Sequence, residues 1–389
     1  MKKNFHVVVI GGGIVGLSTA YYLVKAGKRV LLIEKNEIGN GASGSCDEMI
    51  LLQSKEPGIL LEMTLESLEM YKGLRKELKV DIEFQNNGGM VFIENEQELK
   101  IIEAFVKKQK QYGVNVEILD RKDVLKKQPY INKKIIASTF CKMDSQVNPL
   151  HVMRGLMIRS IALGLEFKKG IITKMDQKKD HWRVYFYNGE YVDTQYIVNT
   201  AGAWASEVGN LIGINIPIIP KRGQIIVTEK IPKIGETNGW SARYIVRKIK
   251  PELFQEEEDS KLGVGFSISQ TASGNYLIGS TREFEGYNKK TTYEALKIII
   301  NQGIYYFPIL KKVHIIRSFA GLRPATPDGK PILDEVADKK GYFVAAGHEG
   351  DGIALAPITG KLMAKFINGE KIYYDINVLR LNRFKKEKV

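Results

Sequence analysis

The beginning of this chain constrains its fold more than any other segment. Val7-Val8-Val9-Ile10 runs straight into Gly11-Gly12-Gly13-Ile14-Val15-Gly16, and Val30-Leu31-Leu32-Ile33 ends at Glu34. The order is strand, glycine turn, amphipathic helix over residues 17–26, strand and acid, which is that of a dinucleotide-binding βαβ unit. Each glycine has its own task. Gly11 permits the tight turn, Gly13 lets a pyrophosphate approach the backbone, and Gly16 lets the helix pack closely on the strand. The amides at the helix start, those of Ile14 and Val15, face phosphates with the positive end of the helix dipole behind them. Glu34, followed by Lys35, stands 18 residues after Gly16, where a carboxylate can accept the ribose hydroxyls.

Composition narrows the class. A chain of 389 residues, 44% hydrophobic and 26% charged, can bury a large core in two or three lobes. No apolar run reaches the ~18 residues of a membrane span, and the amino-terminal apolar stretch is broken by glycines, so neither a transmembrane segment nor a signal peptide is expected. Two cysteines, Cys46 and Cys141, form no framework, and the five histidines are scattered with no metal-binding spacing. A reducing, cytoplasmic setting and no metal are expected. The net charge of +14 is spread over lysine pairs along the whole chain rather than concentrated in a recognition element. It predicts a solvated basic surface, not a nucleic-acid binder, and leaves open contact with an acidic partner or the inner face of a membrane.

Periodicity predicts helices over 57–79, 95–112, 148–163, 291–305 and 354–367, the last entered through Pro357 at its first turn. Strands are predicted at 89–94, 165–175, 181–188, 190–193, 196–199, 222–229, 243–249, 263–270, 275–281 and 341–346, with an exposed acidic hairpin tip at 255–260 and a frayed basic tail from Arg383. The nucleotide-binding pieces are thus split between the two ends and the middle, with antiparallel β segments between them. That pattern suits a flavoprotein gripped by remote chain segments better than a nicotinamide dehydrogenase.

Four motifs carry a family resemblance. They are the glycine turn with Glu34-Lys35; Gly41-Ala42-Ser43-Gly44; Asn199-Thr200-Ala201-Gly202-Ala203-Trp204; and the carboxy-terminal Gly321-Leu322-Arg323-Pro324 with Gly347-His348-Glu349-Gly350-Asp351-Gly352-Ile353. In this order they resemble the D-amino-acid oxidase/glycine oxidase superfamily of FAD enzymes. The ending is similar to the flavin β-type subunits of hydrogen cyanide synthase, opine oxidases and proline or hydroxyproline dehydrogenases.

The resemblance implies an α/β fold: an FAD-binding Rossmann-like domain of glutathione-reductase type (1–52, 146–215 and 316–389) with an inserted α+β substrate domain on an antiparallel sheet (53–145 and 216–315). It implies noncovalent FAD, since no cysteine stands near the Arg323 motif. Arg323 would bind the substrate carboxylate as a bidentate guanidinium fork, and Tyr244, with Arg247 on the same strand and Gln270-Thr271 on its partner, would face the flavin. Ala42, Ser43, Gly44, Thr200, Ala201 and Gly202 would pass close to the cofactor, with Trp204 packing beside it. Gly347, His348, Gly350, Gly352 and Ile353 would border the flavin, His348 joining Arg323 and Tyr244 as a catalytic candidate, with Glu349 and Asp351 facing substrate ammonium, a partner or solvent. Cys46 reads as a buried thiol.

The implied reaction is oxidation of the C–N bond of a small amino or imino acid (glycine, D-amino acid, proline/hydroxyproline or opine type) by hydride transfer to flavin N5, giving an imine. Two alternatives stand beside it. One is a 2-hydroxy acid or glycerol-3-phosphate dehydrogenase. The other is a flavoprotein subunit active only with electron-transfer partner subunits carrying iron–sulfur or a second flavin. Oligomeric state is left open.

Overall fold

The computed structural model describes residues 4–254 and 262–385. The expected acidic hairpin tip at 255–260 lies outside them.

The first sheet is built outward from Asn4–Ile10, whose Val7, Val8 and Val9 are wholly buried. Val30–Glu34 and Tyr191–Asn199 flank it in parallel; Glu166–Lys169 extends the sheet on one side, Tyr342–Ala346 and then antiparallel Ile332–Glu335 on the other. A continuous apolar run suits this centre because both faces of a parallel sheet are covered. The helices Ile14–Lys25 and Gly352–Asn368 cover one face and pack so closely on each other that a Cβ on Gly360 would stand 2.5 Å from the Ser18 carbonyl carbon.

Two strand expectations change here. The run 165–175 is two strands, because Gly170 turns the chain and donates its amide to the Glu34 carbonyl; Glu166–Lys169 joins the parallel sheet, while Ile172–Gln177 pairs with Trp182–Phe186. The segments 190–193 and 196–199 are one strand, Tyr191–Asn199, antiparallel to Trp182–Phe186 at its start and parallel to Asn4–Ile10 along its length.

The second sheet runs Ile315–Ala325, Ile219–Lys230, Asn275–Gly279, Ser267–Gln270, Asn238–Ser241, Gly89–Ile93, Ala137–Cys141 and Val116–Asp120. It is mixed rather than antiparallel throughout, because Asn238–Ser241 and Gly89–Ile93 run parallel.

The segment 243–249, expected as a strand, is the helix Arg243–Ile249. Its β-branched residues suggested alternation, but the buried positions are Ala242, Ile245 and Val246, the i, i+3, i+4 spacing of a helix face. The last helix begins at Gly352, two residues earlier than expected, so Pro357 lies beyond the first turn. Its missing N–H frees the carbonyl of Ile353, and the Tyr71 hydroxyl, from the helix Ile59–Leu78, donates to that oxygen at 2.7 Å. The tail is pinned rather than frayed as far as Arg383, whose guanidinium pairs with Asp328 and donates to the Lys330 carbonyl.

Candidate active site

One cavity of about 440 Å³ gathers the four motifs. At one end the glycine turn is shaped by close contact. Gly11 has φ +113°, and a Cβ there would stand 2.7 Å from the Thr200 carbonyl oxygen; a Cβ on Gly16 would fall inside the Gly11 carbonyl. The Thr200 hydroxyl donates to Ile10 O at 2.8 Å and so ties the turn to the neighbouring strand. Glu34 is held by two backbone amides, Gly12 N at 2.7 Å and Asn36 N at 2.8 Å. Its carboxylate is therefore fixed on the cavity wall. Ser43 Oγ accepts the Ile14 amide at 3.0 Å, a bond in which the serine is acceptor, leaving its own proton for the cavity. Lys35 lies 4.4 Å over the Trp204 ring, which stacks on Tyr287.

Gly11, Gly13, Ile14, Val15, Glu34, Lys35, Ala42, Ser43, Thr200, Ala201, Gly202 and Trp204 all line this cavity. Gly16 and Gly44 stand behind its wall, where their lack of a side chain lets the backbone close up. Bare glycine backbone, a helix start and a fixed carboxylate fit the pyrophosphate and ribose of FAD, although the Ile14 amide, expected to face phosphate, is given to Ser43.

The other end is made of side chains. Arg323, on Ile315–Ala325, is anchored from behind: it donates to Thr281 O at 2.9 Å and to Ser280 Oγ at 2.7 Å. The guanidinium lies across Gly223 of the adjoining strand, where any Cβ would collide with it. Burial, and then repulsion from Arg282, lower its pKa, yet no carboxylate of the described residues comes within 4 Å of it.

Gly347, His348, Gly350, Gly352 and Ile353 border the same space. Gly347 has φ +86°, and no side chain caps the helix Gly352–Asn368. That helix's first amides are therefore open to an acceptor in the cavity. His348 is 3% exposed; its Nε2 meets Thr359 Oγ1 at 3.0 Å, and burial lowers its pKa to about 4, so the imidazole is neutral. Burial opposes ionisation of Glu349, but Arg323, Arg282 and Lys221 outweigh it and hold its pKa at about 2.

Tyr244 lies on this wall, presented by the short helix rather than by a strand. Arg317 is exposed and away from the cavity, and Gln270 spends its amide on the carbonyls of Ile231 and Gly274. Cys46 lines the cavity half-buried, with burial raising its thiol to about 12.

Sequence reasoning missed two residues here. Lys55, 3% exposed, pairs with Asp351 at 2.6 Å, and Arg282 lies 4.4 Å over the Tyr244 ring. Neither has a local pattern that would single it out, since a lysine between Ser54 and Glu56 reads as solvated. Among the described residues there is no cluster of three metal-ligating side chains, and no helix is long and apolar enough to cross a membrane.

The family model of FAD dependent oxidoreductases matches residues 6–366. This chain belongs to that family. The FAD-dependent oxidoreductase is 25% identical to hydrogen cyanide synthase subunit HcnC of Pseudomonas aeruginosa, over 100% of this chain and 98% of that one. It is 29% identical to glycerol 3-phosphate dehydrogenase of Caloramator mitchellensis, over 91% of this chain and 72% of that protein. Its fold matches the crystal structure of glycine oxidase from Geobacillus kaustophilus with a TM-score of 0.88 at 22% identity, covering 98% and 99% of the two chains. As an oxidoreductase of this family it joins the FAD cradle and the cationic wall in one cavity.

Proposed function

We propose that this protein oxidises the C–N bond of a small amino or imino acid, using noncovalently bound FAD. The observation that carries this reading is Arg323. Its guanidinium is held from behind by Ser280 and Thr281, has no carboxylate partner among the described residues, and shares a cavity with the dinucleotide cradle. A fork in that state is a ready receptor for a carboxylate. Bound FAD supplies the two-electron acceptor.

The chain's own residues bind and orient. Arg323 fixes the substrate carboxylate and so the direction of the adjoining carbon. Glu349, ionised at any physiological pH, presents negative charge to the substrate ammonium. Tyr244 closes the wall beside them. His348, spent on Thr359 and neutral, supports the turn rather than moving protons.

A second reading, oxidation of a hydroxy substrate, is supported by the likeness to glycerol 3-phosphate dehydrogenase. Anaerobic bleaching of the bound flavin separates the two. Glycine, sarcosine, proline, hydroxyproline and opines should bleach it, and Arg323→Ala should lose on the order of a thousand-fold in kcat/KM, about 4 kcal/mol. Bleaching only by glycerol 3-phosphate or 2-hydroxyglutarate would overturn the proposal. Flavin that stays with the protein precipitate after acid treatment would refute noncovalent binding.

A further inference from the structure

The cavity adjoins a second chamber of about 830 Å³, and Tyr244, Arg282, Glu349 and Asp351 line both. The Tyr244 ring holds two cations: the Arg282 guanidinium carbon is 4.4 Å from its centroid and the Lys248 ammonium 4.6 Å. Two lysines nearby are already neutralised. Lys55 pairs with Asp351 at 2.6 Å and Lys221 with Glu349 at 3.3 Å. The chamber's remaining acid, Glu94, accepts the hydroxyls of Tyr305 and Tyr306.

Arg282 and Lys248 differ from these lysines. No carboxylate of the described residues lies within 4 Å of either, and the one protein bond of the Arg282 guanidinium is a long one, 3.4 Å to the Gly263 carbonyl. An aromatic face holds a cation in place without cancelling its charge. Charge and donors therefore remain for a ligand. Arg243 and Arg247 line the same chamber.

We propose that Arg282 and Lys248 form a second anion site, so that the preferred substrate carries two acidic groups. One is the carboxylate on Arg323; the other is a carboxylate or a phosphate lodged beside Tyr244. The assignment of the first group rests on the amine-oxidation reading above, whereas the second site stands on the chamber itself.

The test uses the FAD-bound enzyme and unreactive acids, read by perturbation of the flavin absorption. Succinate or phosphonoacetate should bind at least about ten-fold more tightly than acetate, roughly one charge-assisted bond; the two diacids tell carboxylate from phosphate. The preference ratio should fall toward one in both Arg282→Gln and Lys248→Met, which lie on different segments, and should persist in Lys100→Gln on the exposed surface. Equal binding of acetate and both diacids by the unaltered enzyme, or a ratio that survives both variants, would overturn the second site. In a parallel arm, iminodiacetate should bleach the flavin at lower concentration than glycine. If neither does so while the diacid preference holds, amine oxidation fails and the anion site remains.

Discussion

The two ends of the cavity are built on opposite plans. The nucleotide end is mostly backbone: glycines at Gly11, Gly13 and Gly16, the start of a helix, and one carboxylate held by two N–H groups. The end proposed to take substrate is almost all side chain: Arg323, Arg282, Lys248, Lys55, Glu349 and Tyr244 converge from five separate stretches of the chain. The core of that first end, the glycine turn and the helix that follows it, is one piece of chain and so must be written contiguously, even though Ala42, Ser43 and Thr200–Trp204 join it from elsewhere. A side-chain site needs only that distant segments meet, and its residue types can be exchanged without disturbing the fold. The first plan suits a constant ligand and the second a variable one.

One glycine in each region tests this division. Gly16→Ala drives a Cβ into the Gly11 carbonyl. The protein should purify colourless, read as the ratio of flavin to protein absorption; a yellow variant would mean that the turn yields more easily than its packing implies. Gly223→Ala drives a Cβ into the Arg323 guanidinium instead. It should keep its flavin and lose roughly a hundred-fold in kcat/KM, the usual result of displacing a substrate-orienting group by about 1 Å. Loss of flavin in this variant would erase the distinction between the two ends.

A smaller effect is read in stability against pH. The folded pKa of His348 is lowered to about 4 from an ordinary 6.5, so the unfolded chain binds the proton first. Its contribution is full above pH 6.5 and is lost as the pH falls toward 4, about 3 kcal/mol in all. Glu48 and Asp144, raised by burial to about 7 and about 6, take up protons in the same window with the opposite sign. The His348 contribution is therefore read as the difference between the unaltered FAD-bound protein and His348→Gln in denaturant titrations, which should change by about that amount between pH 7 and pH 4.5. Glu349 acts in a lower window, since its folded pKa of about 2 costs stability only below pH 4.5.

The same division explains what could be read in advance. The cradle was legible from Gly11 to Glu34 because glycine spacing and a terminal acid report backbone geometry directly. Arg323 was legible only through its family motif. Lys55 and Arg282 were not, because nothing local to a lysine or arginine says that it is buried or which ring lies beside it. The helix Arg243–Ile249 was misread as a strand because isoleucine, valine and tyrosine favour strands, and the tertiary contacts of Ile245 and Val246 overrode that preference. The second sheet's one parallel pair depends on a crossover that no local pattern announces.

The hydroxyl of Tyr71 on the Ile353 carbonyl has a consequence for how this molecule can be taken apart. The gap that Pro357 leaves in the last helix is filled from the helix Ile59–Leu78, which follows the first βαβ unit in the chain and precedes most of the second sheet. Without that hydroxyl, as in Tyr71→Phe, the Ile353 carbonyl would be left buried with no donor, a defect worth about 1–3 kcal/mol. The last helix of this oxidoreductase is therefore completed by a residue far from it in the chain, and recombination between relatives would have to exchange Tyr71 and Pro357 together.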